Sequence, residues 1–250
     1  MRKLIVSEFV TLDGVMQAPG GKDEDRDGGF EHGGWTLPYW HDAIGESFGA
    51  LMKDVDALLL GRRTYVTHAA AFEPMAPGDP FGDMMNTPRK YVVSRTLERP
   101  TWRDTTIIRE NVIESVRALK AQPGRNIATD GSSRLVHALL AHDLVDELHL
   151  LVYPLTLGSG KRVLPDGVHA TFTLRSATPF PTRTVRGVRF GRVAHPAGPP
   201  QLHGAGRVCR RGSRVVKSRD AKRSRIGIDR GQPPVPQARL VPDRRLRARR

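Results

Sequence analysis

The sequence predicts an α/β domain built on a mainly parallel sheet, and three features carry that prediction. Short apolar runs such as Val55 to Leu60 show no alternation, as strands buried on both faces require. Segments with helical spacing separate most of these runs, the pattern of parallel strands joined by crossover helices. Near the end, Thr171 to Leu174 and Thr184 to Val193 read as strands with no helix between them, which puts an antiparallel edge on the sheet.

Lys3 to Val10 reads as the first strand, rich in β-branched and aromatic residues. It ends in Thr11-Leu12-Asp13-Gly14, where Asp-Gly signals a turn. Asp13 has two readings. It is either a carboxylate at the carboxyl end of a strand, where open α/β sheets place their ligands, or a turn residue bonded to its own backbone.

Residues 17–41 form a long irregular stretch, and a loop of this length inside a domain points to function or a lid. Asp23, Asp25, Asp27 and Gly28 match the first half of a calcium-binding loop. Gly34 stands where that loop needs a bidentate glutamate, so a solvated acidic loop is the expectation and no metal site is assigned. Trp35, Tyr39 and Trp40 are candidates to cover a flat ligand or to anchor the loop.

His41 to Lys53 has helical spacing through Ile44, Phe48 and Leu51. The strand from Val55 follows, broken by Gly61, and Arg62, Arg63 and Thr64 lead into a short helix over Tyr65 to Phe72. The first N–H groups of such a helix have no intrahelical partner and carry the positive end of its dipole. Two guanidiniums and a hydroxyl beside them suit a phosphate, although a solvated turn would use the same residues. A second helical piece around Phe81 to Met85 ends before Pro88.

Tyr91-Val92-Val93 and Thr106-Ile107-Ile108 are strands, and Val112, Val116 and Leu119 mark one face of the next helix. Ile127-Ala128-Thr129 then runs into Asp130-Gly131-Ser132-Ser133 and a helix carrying Leu135, Val136, Leu139 and Leu140. This repeats the strand, small-residue turn and helix start of Gly61, and Ser132 and Ser133 can cap the helix or donate to a phosphate. Asp146 to Val152 is a strand leading to a tight loop marked by Gly158 and Gly160.

The net charge of +14 over 250 residues suggests a nucleic-acid binder until it is located. Residues 1–190 hold 23 basic and 23 acidic residues, and residues 191–250 hold 17 and 3. The expected organisation is therefore a neutral domain over 1–193 and a basic tail over 194–250. That tail is rich in Arg, Pro and Gly and poor in large apolar residues, a composition expected to be disordered. It could hold phosphate backbones without reading sequence, but it lacks aromatics for stacking on bases. Deleting residues 196–250 is expected to leave folding intact.

Cys209 is the only cysteine, which excludes an intramolecular disulfide and fits a reducing compartment. The first apolar run is too short for a signal sequence, and no stretch approaches the ~20 apolar residues of a membrane helix. A cytoplasmic protein is the expectation.

Together, Ser7–Gly14, Leu60–Tyr65, Tyr91–Leu97, Asp130–Leu135, Leu144–Leu148 and Pro154–Arg162 resemble the dihydrofolate-reductase-like superfamily. The nearest branch is the reductase domain of the bifunctional riboflavin-biosynthesis deaminase–reductase and its stand-alone bacterial relatives. The resemblance covers roughly residues 1–190. It implies a mixed sheet flanked by helices, with NADPH across the carboxyl ends of the strands. Gly61, Arg62, Arg63 and Thr64 would hold phosphates, Ser94 and Arg95 the adenosine 2′-phosphate, and Gly131, Ser132 and Ser133 the pyrophosphate. Asp13 would lie near the substrate as its catalytic group, with Trp35, Gly158 and Gly160 around it. The implied substrate is a pterin- or pyrimidine-like heterocycle, with 5-amino-6-(5-phosphoribosylamino)uracil as one candidate. The alternatives are a cofactor-binding protein without turnover and nucleic-acid binding through the tail. A homodimer fits the habits of such relatives. Val66 stands where many of them carry Glu, and no cysteine pair is present for a deaminase zinc site.

Overall fold

In the computed structural model, residues 1–167, 170–180 and 186–192 are described. Eight strands among them form one sheet, in the order β4-β3-β2-β5-β1-β6-β8-β7. In chain order these are β1 (Leu4–Thr11), β2 (Val55–Gly61), β3 (Arg89–Val93), β4 (Thr105–Ile108), β5 (Asn126–Thr129), β6 (Glu147–Tyr153), β7 (Phe172–Pro179) and β8 (Arg186–Arg192). The helices are α1 (Asp42–Met52), α2 (Arg62–Phe72), α3 (Pro80–Asn86), α4 (Val112–Ala121) and α5 (Ser133–Ala141). All pairings from β4 across to β6 are parallel, and β8 pairs antiparallel with both β6 and β7. The sheet is thus mixed and mainly parallel with an antiparallel carboxyl-terminal edge, as expected from the sequence. The expected tail at 194–250 lies outside the described residues.

The unalternating runs behave as their composition dictates. Val55, Ala57, Leu58, Leu59 and Leu60 of β2 are all buried, because helices cover both faces of the parallel strands. Leu59 joins the core over one face with Val116, Val136 and Leu139 from α4 and α5, while Leu58 and Leu60 join the other with Tyr65, Ala69 and Trp102. A third cluster, around Trp35, Ile44 and Tyr153, packs the long loop onto β6.

Two elements differ from the sequence expectation. Helix α2 begins at Arg62 rather than Tyr65, because Gly61 itself is the extended N-cap at which the chain turns from β2. Strand β7 runs on to Pro179, since its pairing with β8 continues through a register shift between Leu174 and Ser176. As an edge strand, it accepts a terminal proline without losing a ladder bond.

Candidate functional site

Strands β2 and β5 are neighbours in the sheet, so their carboxyl ends lie side by side and deliver α2 and α5 to the same place. The two turns are tied together. The Ser132 hydroxyl accepts from the Gly61 N–H at 2.8 Å and donates to Thr64 Oγ1 at 2.8 Å. Of the two roles open to Ser132, capping α5 or donating to a phosphate, the first is not taken, since its side chain makes no cap bond. It sits in the left-handed region at φ 57°, and its hydroxyl reaches across to the other turn. Helix α2 likewise has no side-chain cap. Both helix starts therefore keep their first N–H groups open to an anion.

Glycine is required at both turns. A Cβ on Gly131, whose φ is +57°, would come within 2.8 Å of Thr64 Oγ1, and one on Gly61 within 2.9 Å of Ser132 Oγ. Only backbone this bare lets the two helix starts approach each other so closely.

These turns line a cleft of about 1010 Å³. All nine residues expected to hold the cofactor border it: Gly61, Arg62, Arg63 and Thr64 from the first turn, Gly131, Ser132 and Ser133 from the second, and Ser94 and Arg95 after β3. The Ser94 hydroxyl accepts from the N–H groups of Thr96 and Leu97, which fixes the turn that carries Arg95. Arg63 Nη1 lies 2.7 Å from Asp27 Oδ2 and 3.7 Å from Asp25 Oδ1, and Lys161 Nζ binds the same two carboxylates at 2.9 and 2.5 Å. Hydrogen bonds from Arg63 and Lys161 hold the Asp27 carboxyl well below the usual carboxylate range. The acidic loop thus spends Asp25 and Asp27 on ion pairs at the cleft rim.

Asp13, Trp35, Gly158 and Gly160, expected around the substrate, are not among the residues bordering the cleft. The Asp13 carboxylate accepts from the Thr11 hydroxyl at 2.5 Å, the Gly158 N–H at 2.8 Å and the Leu157 N–H at 3.3 Å. The Thr11 bond, helped by both backbone donors, lowers its pKa, so it remains an ionised clamp between two loops and carries no proton near neutrality. Trp35 is buried, its Nε1–H donating to the Gln17 carbonyl at 2.8 Å and its ring edge-on to Tyr153 at 5.2 Å. It is the loop's anchor, and half-exposed Trp40 is the tryptophan that borders the cleft. Gly160 is fixed by packing, because a Cβ there would lie 2.8 Å from both Phe30 and Val15.

Three cleft residues escaped the sequence reading: Glu8, His68 and, as a functional group, Asp130. Glu8 Oε2 accepts from the Gly131 N–H at 2.9 Å, while its Oε1 is buried without a partner among the described residues. Burial foremost, then Asp130 and Glu24, raises its pKa well above the ordinary value. His68 Nε2 lies 2.8 Å from Asp130 Oδ2, and Asp130 Oδ1 is buried without a partner among the described residues. Burial alone would depress the His68 pKa, but the Asp130 carboxylate outweighs it, and the net direction is upward. A charged residue inside an otherwise apolar strand, as Glu8 is, was the available signal. A lone histidine in a short helix gives none.

A mixed sheet in this order, with two open helix starts at the carboxyl ends of adjacent parallel strands, defines the dihydrofolate-reductase-like fold. The family model for the RibD C-terminal domain matches residues 2–185, and the chain belongs to that family, which places it among the oxidoreductases. It is 26% identical over 172 residues to YyaP, an uncharacterised protein of Bacillus subtilis strain 168, spanning 66% of this chain and 81% of that one. Two solved structures share the fold. A pyrimidine reductase-like protein from Corynebacterium diphtheriae matches with a TM-score of 0.55 at 12% identity, over 78% of this chain and 93% of that one. A protein provisionally placed in riboflavin biosynthesis, from Shewanella sp. PV-4, matches with a TM-score of 0.54 at 20% identity, over 77% and 99%.

Proposed function

We propose that the chain is an NADPH-dependent reductase of a small, planar nitrogen heterocycle of pyrimidine or pterin type. The observation that supports it most is the meeting of two uncapped helix starts, stripped to glycine and small hydroxyl residues, with Ser94–Arg95 on one cleft. The residues fit a dinucleotide. The turns at Gly61 and Gly131 would take its phosphates, and Arg95, which borders the same cleft, would meet a 2′-phosphate with a bidentate guanidinium. When bound, such a cofactor supplies a hydride, and the chain supplies orientation, charge and exclusion of water. The substrate class follows the family and the names of the pyrimidine reductase-like and riboflavin-biosynthesis relatives.

The test is a titration of the protein with NADPH and NADH, followed by tryptophan fluorescence. NADPH is expected to bind more tightly, and Arg95→Ala to weaken NADPH by roughly tenfold to a hundredfold while leaving NADH unchanged, as loss of a charge-assisted bond requires. No binding of either nucleotide would refute the reading. A second expectation concerns the rim. In the Asp25→Asn/Asp27→Asn double variant Arg63 is released from its ion pairs, and NADPH affinity should rise by roughly threefold, less so at high salt. Weaker binding would show instead that the acidic loop orders the cleft.

Reduction itself is tested by NADPH consumption with 5-amino-6-(5-phosphoribosylamino)uracil and 7,8-dihydropterin as probes. Turnover of neither would leave the cofactor reading standing and remove the substrate class.

A further inference from the structure

The cleft contains an ionic pair that the cofactor does not need. His68 lies one helical turn beyond Thr64 on α2, so the helix that offers its start to the phosphates also carries an imidazole along the cleft wall. The ring is fixed on three sides. Phe72 meets it edge-to-face at 5.4 Å and Trp102 at 6.4 Å, and Asp130 holds Nε2 at 2.8 Å. Nδ1 makes no hydrogen bond among the described residues and is not among their buried, unpartnered atoms. A carboxylate on one ring nitrogen sets the ring's orientation and leaves the other nitrogen to the cleft.

We propose that His68, positioned by Asp130, is the acid of the reductive step, a reading that rests on the cofactor assignment above. A bound reduced nicotinamide dinucleotide would supply a hydride to the carbon of a C=N or C=O bond in the heterocycle. The π pair moves onto the nitrogen or oxygen, which takes the proton from His68 Nδ1. The imidazole is left neutral, bonded to Asp130, and regains its proton from water. Oxidised cofactor and a substrate carrying two more electrons and two more hydrogens complete the balance.

The surrounding groups favour a charged imidazole. Asp130 faces it from the β5–α5 turn and Glu24 from the long loop, while α2 itself and Trp102 present aromatic surface. Glu8 on β1 lies next to Asp130, and burial foremost raises its pKa, which favours its uncharged form. Glu8 is the poorer acid for the step, since its one unbonded oxygen is sealed from water and cannot be recharged from solvent.

Two measurements test this. An NMR titration of the protein labelled on histidine, with the His68 signal assigned from His68→Gln, should show a pKa above the ordinary value of about 6.5. That pKa should fall in Asp130→Asn, and the signal should move when NADP⁺ is added. A His68 that is neutral through pH 7, or whose signal ignores bound NADP⁺, overturns the proposal whatever substrate is found. In the second measurement, His68→Gln should keep the wild-type affinity for NADPH and lose on the order of a hundredfold in kcat with 5-amino-6-(5-phosphoribosylamino)uracil, together with the alkaline fall of the wild-type pH profile. Retained kcat in His68→Gln overturns the acid. Failure of the wild type to bind NADPH at all is a different result and counts against the cofactor assignment alone.

Discussion

Trp102→Ala is expected to cost on the order of 3–5 kcal/mol of folding stability, near the upper end for a single aromatic truncation. Trp102 is 2% exposed and joins four polar and aromatic partners that have no substitute. Its Nε1–H donates to Asn86 Oδ1 at 2.6 Å, and its backbone N–H donates to the Tyr65 hydroxyl at 2.8 Å. Its ring stacks on Phe72 at 6.1 Å, and the Lys90 ammonium sits 4.7 Å from its centroid. Lys90 is itself fully buried, donating to the Asn86 carbonyl at 2.5 Å, and burial pushes its pKa down to about 8. Removing the indole leaves a cavity, an unpaired Asn86 oxygen and an ammonium without its aromatic face. The loss also reaches the cleft, because Tyr65, His68 and Phe72 all project from α2 onto Trp102. Urea denaturation of Trp102→Ala and Trp102→Phe should rank both below wild type, the phenylalanine less severely. A loss under 1 kcal/mol for the alanine variant would mean that α2 is held elsewhere.

The legible parts of this protein are those where one residue type answers one local demand. Leu58, Leu59 and Leu60 in unbroken sequence read as a strand covered on both faces, as they are, and Gly61 followed by two arginines marks the exit. The second exit, at Gly131, could be found because it repeats the first. The illegible parts depend on what a side chain meets from elsewhere in the chain. Asp13 stands at the end of β1, as a ligand-binding carboxylate would. Its partners are Thr11 two residues back and a loop more than 140 residues on, and only the fold brings that loop there. Trp35 has the composition of a ligand cover, but its Nε1–H finds the Gln17 carbonyl and turns the ring inward. His68 and Asp130 are 62 residues apart, and the parallel pairing of β2 with β5 makes them neighbours.

The contribution of Glu8 to the stability of the chain should fall as pH rises above about 4.3, the value for an unfolded glutamate, and Glu8→Gln should remove that fall. Glu8 sits on β1, between β5 and β6, with its carboxyl buried, one oxygen on the Gly131 N–H and the other without a partner among the described residues. Burial, then Asp130 and Glu24, raises its native pKa, so between the unfolded and native values the folded state binds the extra proton. Stability from this group is complete below the unfolded value and is lost as pH rises through the native one, with a limiting slope of about 1.4 kcal/mol per pH unit. Lys90 acts in the opposite sense. Its native pKa of about 8 lies below the unfolded value, so it makes stability rise with pH over the alkaline range. The wild-type profile mixes these with the other shifted groups, Asp13, Asp27 and His68 among them, and the difference between wild type and Glu8→Gln isolates Glu8. Urea denaturation from pH 4 to 9 should give that difference a single sign, with the glutamine variant gaining on the wild type as pH increases. Parallel curves would mean that Glu8 is ionised in the native state. The cleft would then hold two carboxylates beside His68, and the proton that Asp130 helps the imidazole keep would be held by both.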